Sequence, residues 1–161
     1  VERRQGPRGE SAPRVDYRTL AELRYQLRRF LRRREEAARA ASIEPQQYLL
    51  LLQVKGLSGV RSATIGVLAE RLQLRHHSVV ELVDRLVGRH LVARRRDRGD
   101  RREVRVELTE AGEAILRKLA LYSVAELRTE GPALLGVLQR LIGRTTRAGA
   151  SPPTRMRKGA R

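Results

Sequence analysis

Between Thr64 and Gly112 the hydrophobic period changes from helical to alternating and back, and this change restricts the fold more than any other feature. Val67, Leu68, Arg71 and Leu72 keep helical spacing, and Gln73 and Leu74 form a turn. A second helix is expected from about His76 to Arg89, with Val79, Leu82, Val83, Leu86 and Val87 as its buried stripe. Beyond it, Val104, Val106 and Leu108 alternate with Glu103, Arg105 and Glu107, the period of a half-buried antiparallel strand. Leu91 to Ala93 lead toward it, so the stretch from Arg94 to Arg102 reads as a hairpin tip in which Gly99 can supply a positive φ. Two short helices joined by a tight turn and followed by a basic hairpin make a helix-turn-helix with a wing, whose second helix enters a major groove.

The start of that second helix runs against helix preferences. Arg75, His76 and His77 stand where a Ser, Thr or Asp cap and acidic neighbours would be stabilising. A phosphate at this end would be bound by backbone N–H groups and by these side chains together, whereas a solvated turn is the alternative. The tip crowds Arg94, Arg95, Arg96, Arg98, Arg101 and Arg102 around only Asp97 and Asp100. Such a surplus suits the narrow minor groove, whose negative potential attracts inserted arginine.

The flanks read as helices. Leu20, Leu23, Leu27, Phe30 and Leu31 mark an amphipathic helix from about Asp16 to Ser42, its arginines expected on a solvated face. Pro45 suits the first position of a helix ending at Gly56, apolar around most of its circumference and so central to the core. Ala63 to Ile65 is tolerant of a minor strand. Thr109 can cap a later helix with Glu110 in its first turn, while Gly112 fits a helix poorly unless something packs closely on it. Gly131 and Pro132 are expected to break that helix, leaving Leu134, Leu135, Leu138, Leu141 and Ile142 on a last short one. The apolar surplus of the first and last helices implies burial against a second chain. Residues 1–15 and 144–161, rich in Gly, Pro and Arg, are expected to be a disordered basic arm and tail around one domain at 16–143.

Composition narrows the partner. A formal net charge of +17 points to a polyanion, and 32 of the 35 basic residues are arginine, whose planar fork suits phosphate and guanine edges. Codon bias is an equal explanation for the arginine excess outside the wing. Cysteine is absent, so disulfides, thiolate metal sites and thiol sensing are excluded. With no apolar run approaching a membrane span, the chain reads as cytoplasmic. His76, His77 and His90 are not spaced as a metal or acid–base site, so neither enzyme nor cofactor nor metal is expected.

From about Tyr17 to Gly143 the chain resembles the MarR family of bacterial winged-helix regulators. The resemblance rests on an ordered series: Leu68-Ala69-Glu70-Arg71-Leu72, Leu82-Val83-Asp84-Arg85-Leu86, Leu91-Val92, Asp100-Arg101-Arg102, and Leu108-Thr109-Glu110-Ala111-Gly112. It implies a mainly α fold with a small β-hairpin wing: a winged helix-turn-helix lobe at 63–108 and helical dimerisation regions at 16–56 and 109–143. It implies recognition-helix contacts from Arg75, His76, His77, Ser78 and Glu81, with Asp100 orienting the wing and Arg102 reaching a minor groove. Glu81 departs from the basic or small residue common there, and His90 replaces a usual glycine, which histidine tolerates if φ is positive. An effector pocket is poorly marked; Arg24 and Tyr48 are candidate lining residues, and Tyr48 fits equally as core. The implied function is a homodimeric repressor on a pseudo-palindromic double-stranded operator, with a small-molecule effector left open. The rival is a sequence-independent architectural nucleic-acid binder driven by net charge.

Overall fold

The computed structural model describes residues 15–96 and 104–148, with side chains through 143. Seven elements follow in order: α1 (Tyr17–Ala40), α2 (Pro45–Leu57), α3 (Ile65–Leu72), α4 (His76–Gly88), β1 (Val92–Arg96), β2 (Val104–Leu108) and α5 (Glu110–Ala148). The expectations for residues 1–14 and 149–161 lie outside the described residues, whereas residues 144–148, expected in the disordered tail, continue α5 as helix. By contacts the chain divides into residues 29–130 and a second unit formed by 1–28 with 131–161.

Local chemistry sets most boundaries. Asp16 caps α1, accepting from the Thr19 N–H at 3.1 Å and the Thr19 hydroxyl at 2.8 Å. Pro45 opens α2, and the Gln47 side chain reaches back to the Glu44 N–H at 3.2 Å. α2 continues one residue past Gly56 to Leu57, within the usual scatter of helix ends. Thr64 caps α3, accepting from the Val67 N–H at 3.4 Å. The turn into α4 places Gln73 in the left-handed region at φ 55°, which lets the Leu74 N–H close on the Ala69 carbonyl at 3.0 Å.

Within residues 29–130 the core is assembled from every element. Leu50 and Leu51 of α2, Leu68 of α3 and Val79, Val83 and Leu86 of α4 are fully buried, joined by Val92 and Val106 from the hairpin and Leu116 and Leu119 from α5. Burial of each such side chain contributes roughly 1.5–3 kcal/mol. α2 is central, yet Leu49 and Leu52 remain about two-fifths exposed, so it is less enveloped than its composition implies. The two strands form an antiparallel hairpin pairing Val92 with Leu108 and Arg96 with Val104. Thr64 bridges Arg105, and the Val106 N–H donates to the Ala63 carbonyl at 2.9 Å, so the β-tolerant stretch does extend the sheet.

Two expectations need correction. Arg94, Arg95 and Arg96 belong to β1 and not to the loop, because their backbone pairs with residues 104–106, and the charges of Arg94 and Arg95 find partners off the strand. α5 is one helix to Ala148 with Pro132 inside it, rather than two helices broken at Gly131 and Pro132. The ring's fixed φ is itself helical, so the loss is one N–H bond and a crowded carbonyl at Arg128, about 3 kcal/mol, which helix on both sides can offset. The division between the two contact units falls at this same step, after Glu130.

Candidate nucleic-acid interface

α4 has one closed end and one open end. At its start Arg75 is extended (φ −69°, ψ 148°) and makes no side-chain cap. The first-turn N–H groups have no intrahelical acceptor by construction, and the partial positive charge of the macrodipole gathers there. Arg75, His76 and His77 are exposed around this end, and Ser78 is half-buried. An anion at this point would therefore meet main-chain donors and cationic side chains at once.

The fully buried Val79, Val83 and Leu86 fix which way α4 faces. At 100° per residue, Glu81 lies about 200° from Val79 and His77 about 160°, so both sit on the outward stripe. Asp84, Arg85 and Gly88 complete it, and all five are exposed. Glu81 is not alone: Arg85 Nη2 approaches its Oε2 at 3.5 Å, and both side chains are about two-thirds exposed.

The hairpin distributes its arginines over two faces. Arg94 shares the inner face with Val92, and its Nη1 donates to Asp84 Oδ1 of α4 at 2.5 Å. The sequence placed Arg94 among the wing contacts; the structure ties it to α4. Arg95 lies opposite Arg105, a like-charge pair that is destabilising by itself. Glu107 stands between them, 2.8 Å from Arg105 Nε and 3.8 Å from Arg95 Nε. The Arg105 contact is an ion pair whose alignment falls outside hydrogen-bond geometry. Arg96 is exposed at the strand end. Arg98, Asp100, Arg101 and Arg102 lie outside the described residues.

At its far end α4 is closed by packing. His90 takes φ 57°, the left-handed value that histidine was expected to tolerate here, and the Leu91 N–H closes on the Leu86 carbonyl at 3.0 Å. Thr109 Oγ1 donates to the His90 carbonyl at 2.6 Å and accepts from the Gly112 N–H at 3.1 Å. A methyl group on Gly112 would overlap the Leu91 carbonyl oxygen, which accounts for glycine in the first turn of α5.

The residues suggested for an effector are differently placed. Tyr48 is buried, and its hydroxyl is 3.1 Å from Ser123 Oγ of α5. Beside it Arg34 donates to the Phe30 and Ser123 carbonyls, and burial lowers the pKa of this guanidinium against the opposing pull of Glu126. Glu130 Oε1 lies 2.6 Å from Arg33 and 3.2 Å from Arg29, contacts made without hydrogen-bond alignment. Arg24 is exposed on α1. A cleft of about 550 Å³ has other walls, among them Lys55, Ser58, Arg61, Arg105 and Glu113. Among the described residues no cluster of three or more His, Asp or Glu could hold a metal, and no helix is long and apolar enough to cross a membrane.

With this geometry in place, residues 41–103 match the MarR family. A MarR family protein from Bacillus stearothermophilus is 28% identical with a TM-score of 0.61, over 83% of this chain and 99% of that one. AbsC, a MarR family transcriptional regulator from Streptomyces coelicolor, is 21% identical with a TM-score of 0.63, over 85% and 97%. A Staphylococcus aureus MepR variant bound to an oligodeoxyribonucleotide is 17% identical with a TM-score of 0.61, over 82% and 99%. No curated protein sequence matches this chain.

Proposed function

We propose, from the match of residues 41–103 to the MarR family, that this chain is a homodimeric, sequence-specific DNA-binding repressor of transcription. MarR family members are transcription regulators and not enzymes. The observation that carries the reading is the start of α4: an uncapped helix end ringed by Arg75, His76 and His77, on a helix whose outward stripe is free of core contacts. In a major groove this end binds backbone phosphate while the stripe faces base edges. The hairpin then lies along the duplex, with the exposed Arg95 and Arg96 turned to phosphate, and the sequence adds Arg98, Arg101 and Arg102 as proposed phosphate and minor-groove contacts.

The dimer is supported by exposed apolar side chains. Tyr17, Leu20 and Tyr25 on α1 are more than two-fifths exposed, and so is Leu135 on α5. A second copy would cover them and set two α4 helices on half-sites about one helical turn apart. Release by a small-molecule effector belongs to this proposal through the family likeness.

Mobility shifts of DNA from the region upstream of the chain's own gene, against scrambled DNA of equal composition, test it. Preference for the first, at two chains per site, is expected; equal affinity would sink it. The net charge of +17 favours a second reading, a sequence-independent binder. Removing residues 1–14 and 149–161 separates the two. The regulator keeps its preference, and the architectural binder loses most of its affinity.

A further inference from the structure

The acid at the centre of α4's outward stripe carries an inference about what sequence the protein reads, resting on the proposal that α4 is a recognition helix. Glu81 lies within about 20° of the direction opposite Val79, so a helix docked in a major groove cannot turn it away from the base edges. Its 3.5 Å contact with Arg85 is between two exposed side chains, the kind of pair that adds little to stability. Nor does the helix need an acid here for its dipole, because Glu81 stands beyond the first turn. Asp84, the other acid on the stripe, is held by Arg94 of the hairpin. Glu81 is left with a partner that points along the same face.

A carboxylate is repelled by phosphate and by every acceptor on the groove floor. The major groove offers it two donors, the amino groups of cytosine and adenine. Adenine sets its N7 acceptor beside the amino group and repels one carboxylate oxygen. Cytosine has only a C–H beside its own. Arginine has the complementary preference, donating in bidentate fashion to guanine O6 and N7. We infer that Glu81 and Arg85 form a composite reader of G·C pairs in each half-site, Glu81 accepting from a cytosine amino group and Arg85 donating to a neighbouring guanine. Their mutual contact keeps the two side chains extended on one face and offsets Glu81's charge against the phosphates.

Selection of bound DNA from a random pool, with the full chain and with Glu81→Ala, Glu81→Gln and Arg85→Ala, tests this. All changes are on exposed side chains, and circular dichroism melts verify that the variants fold. The unaltered chain is expected to select a site in which one position per half-site is cytosine. Glu81→Ala should flatten the preference at that position by about tenfold, leaving the others intact. Glu81→Gln should move it from cytosine to adenine, because a glutamine amide matches N6 and N7 of adenine. Arg85→Ala should relax an adjacent guanine. If the selected sites of all three variants equal the original at every position, the pair only balances charge and the inference is overturned while the regulator stands. If the unaltered chain selects no site, the inference and the regulator fall together.

Discussion

The two ends of α4 are built from opposite chemistry. Its last turn is saturated: the His90 N–H donates to Val87 at 2.9 Å, the Leu91 N–H to Leu86 at 3.0 Å, and the His90 carbonyl accepts from Thr109. Its first turn has an arginine where a cap belongs and two histidines against the helix dipole. One end has been closed to hold the hairpin and α5 in register. The other has been left open at some cost to the fold, and local rules are broken in this way chiefly at functional sites.

Three substitutions sharpen or break that contrast. The largest effect is expected at the closed end: Gly112→Ala drives a methyl into the Leu91 carbonyl and should destabilise the chain by about 3 kcal/mol, read by denaturant unfolding. A loss under about 1 kcal/mol would mean that the root of α5 is not held by this approach. At the open end Arg75→Ser supplies the missing cap. Stability should rise by about 1 kcal/mol while affinity for a selected site falls about tenfold and the salt dependence flattens by nearly one ion. Should stability and affinity rise together, Arg75 is not a phosphate contact. The smallest change is His90→Gly, which relieves the positive φ and should add about 0.5–1 kcal/mol without altering DNA affinity.

Much of this architecture could be read from residue patterns because it depends on neighbours in sequence. Pro45 at a helix start, Thr109 as a cap and the inward Val104, Val106 and Leu108 all follow from spacings of a few residues, while a left-handed His90 was suggested only by the family resemblance. Gly112 was legible as a demand, although its source, Leu91, was not. The candidate site was legible in outline, at Arg75 to His77. The contact of Arg94 with Asp84 was not legible because the two come from different elements, and a run of arginines gives no sign of which face each will take. Arg85 entered the sequence reading only within the series Leu82 to Leu86, and the buried face of α4 is what fixes its outward direction.

The sequence alone determined the order of elements from α1 to the start of α5, the turn chemistry and the basic character of α4's open end, since propensity, capping and period are properties of short segments. Only the tertiary structure decided that Arg94 ties the hairpin to α4, that Glu107 separates Arg95 from Arg105, and that α5 runs through Pro132. Each of these balances a local penalty against contacts between residues distant in the chain, and that balance exists only once the core has brought them together.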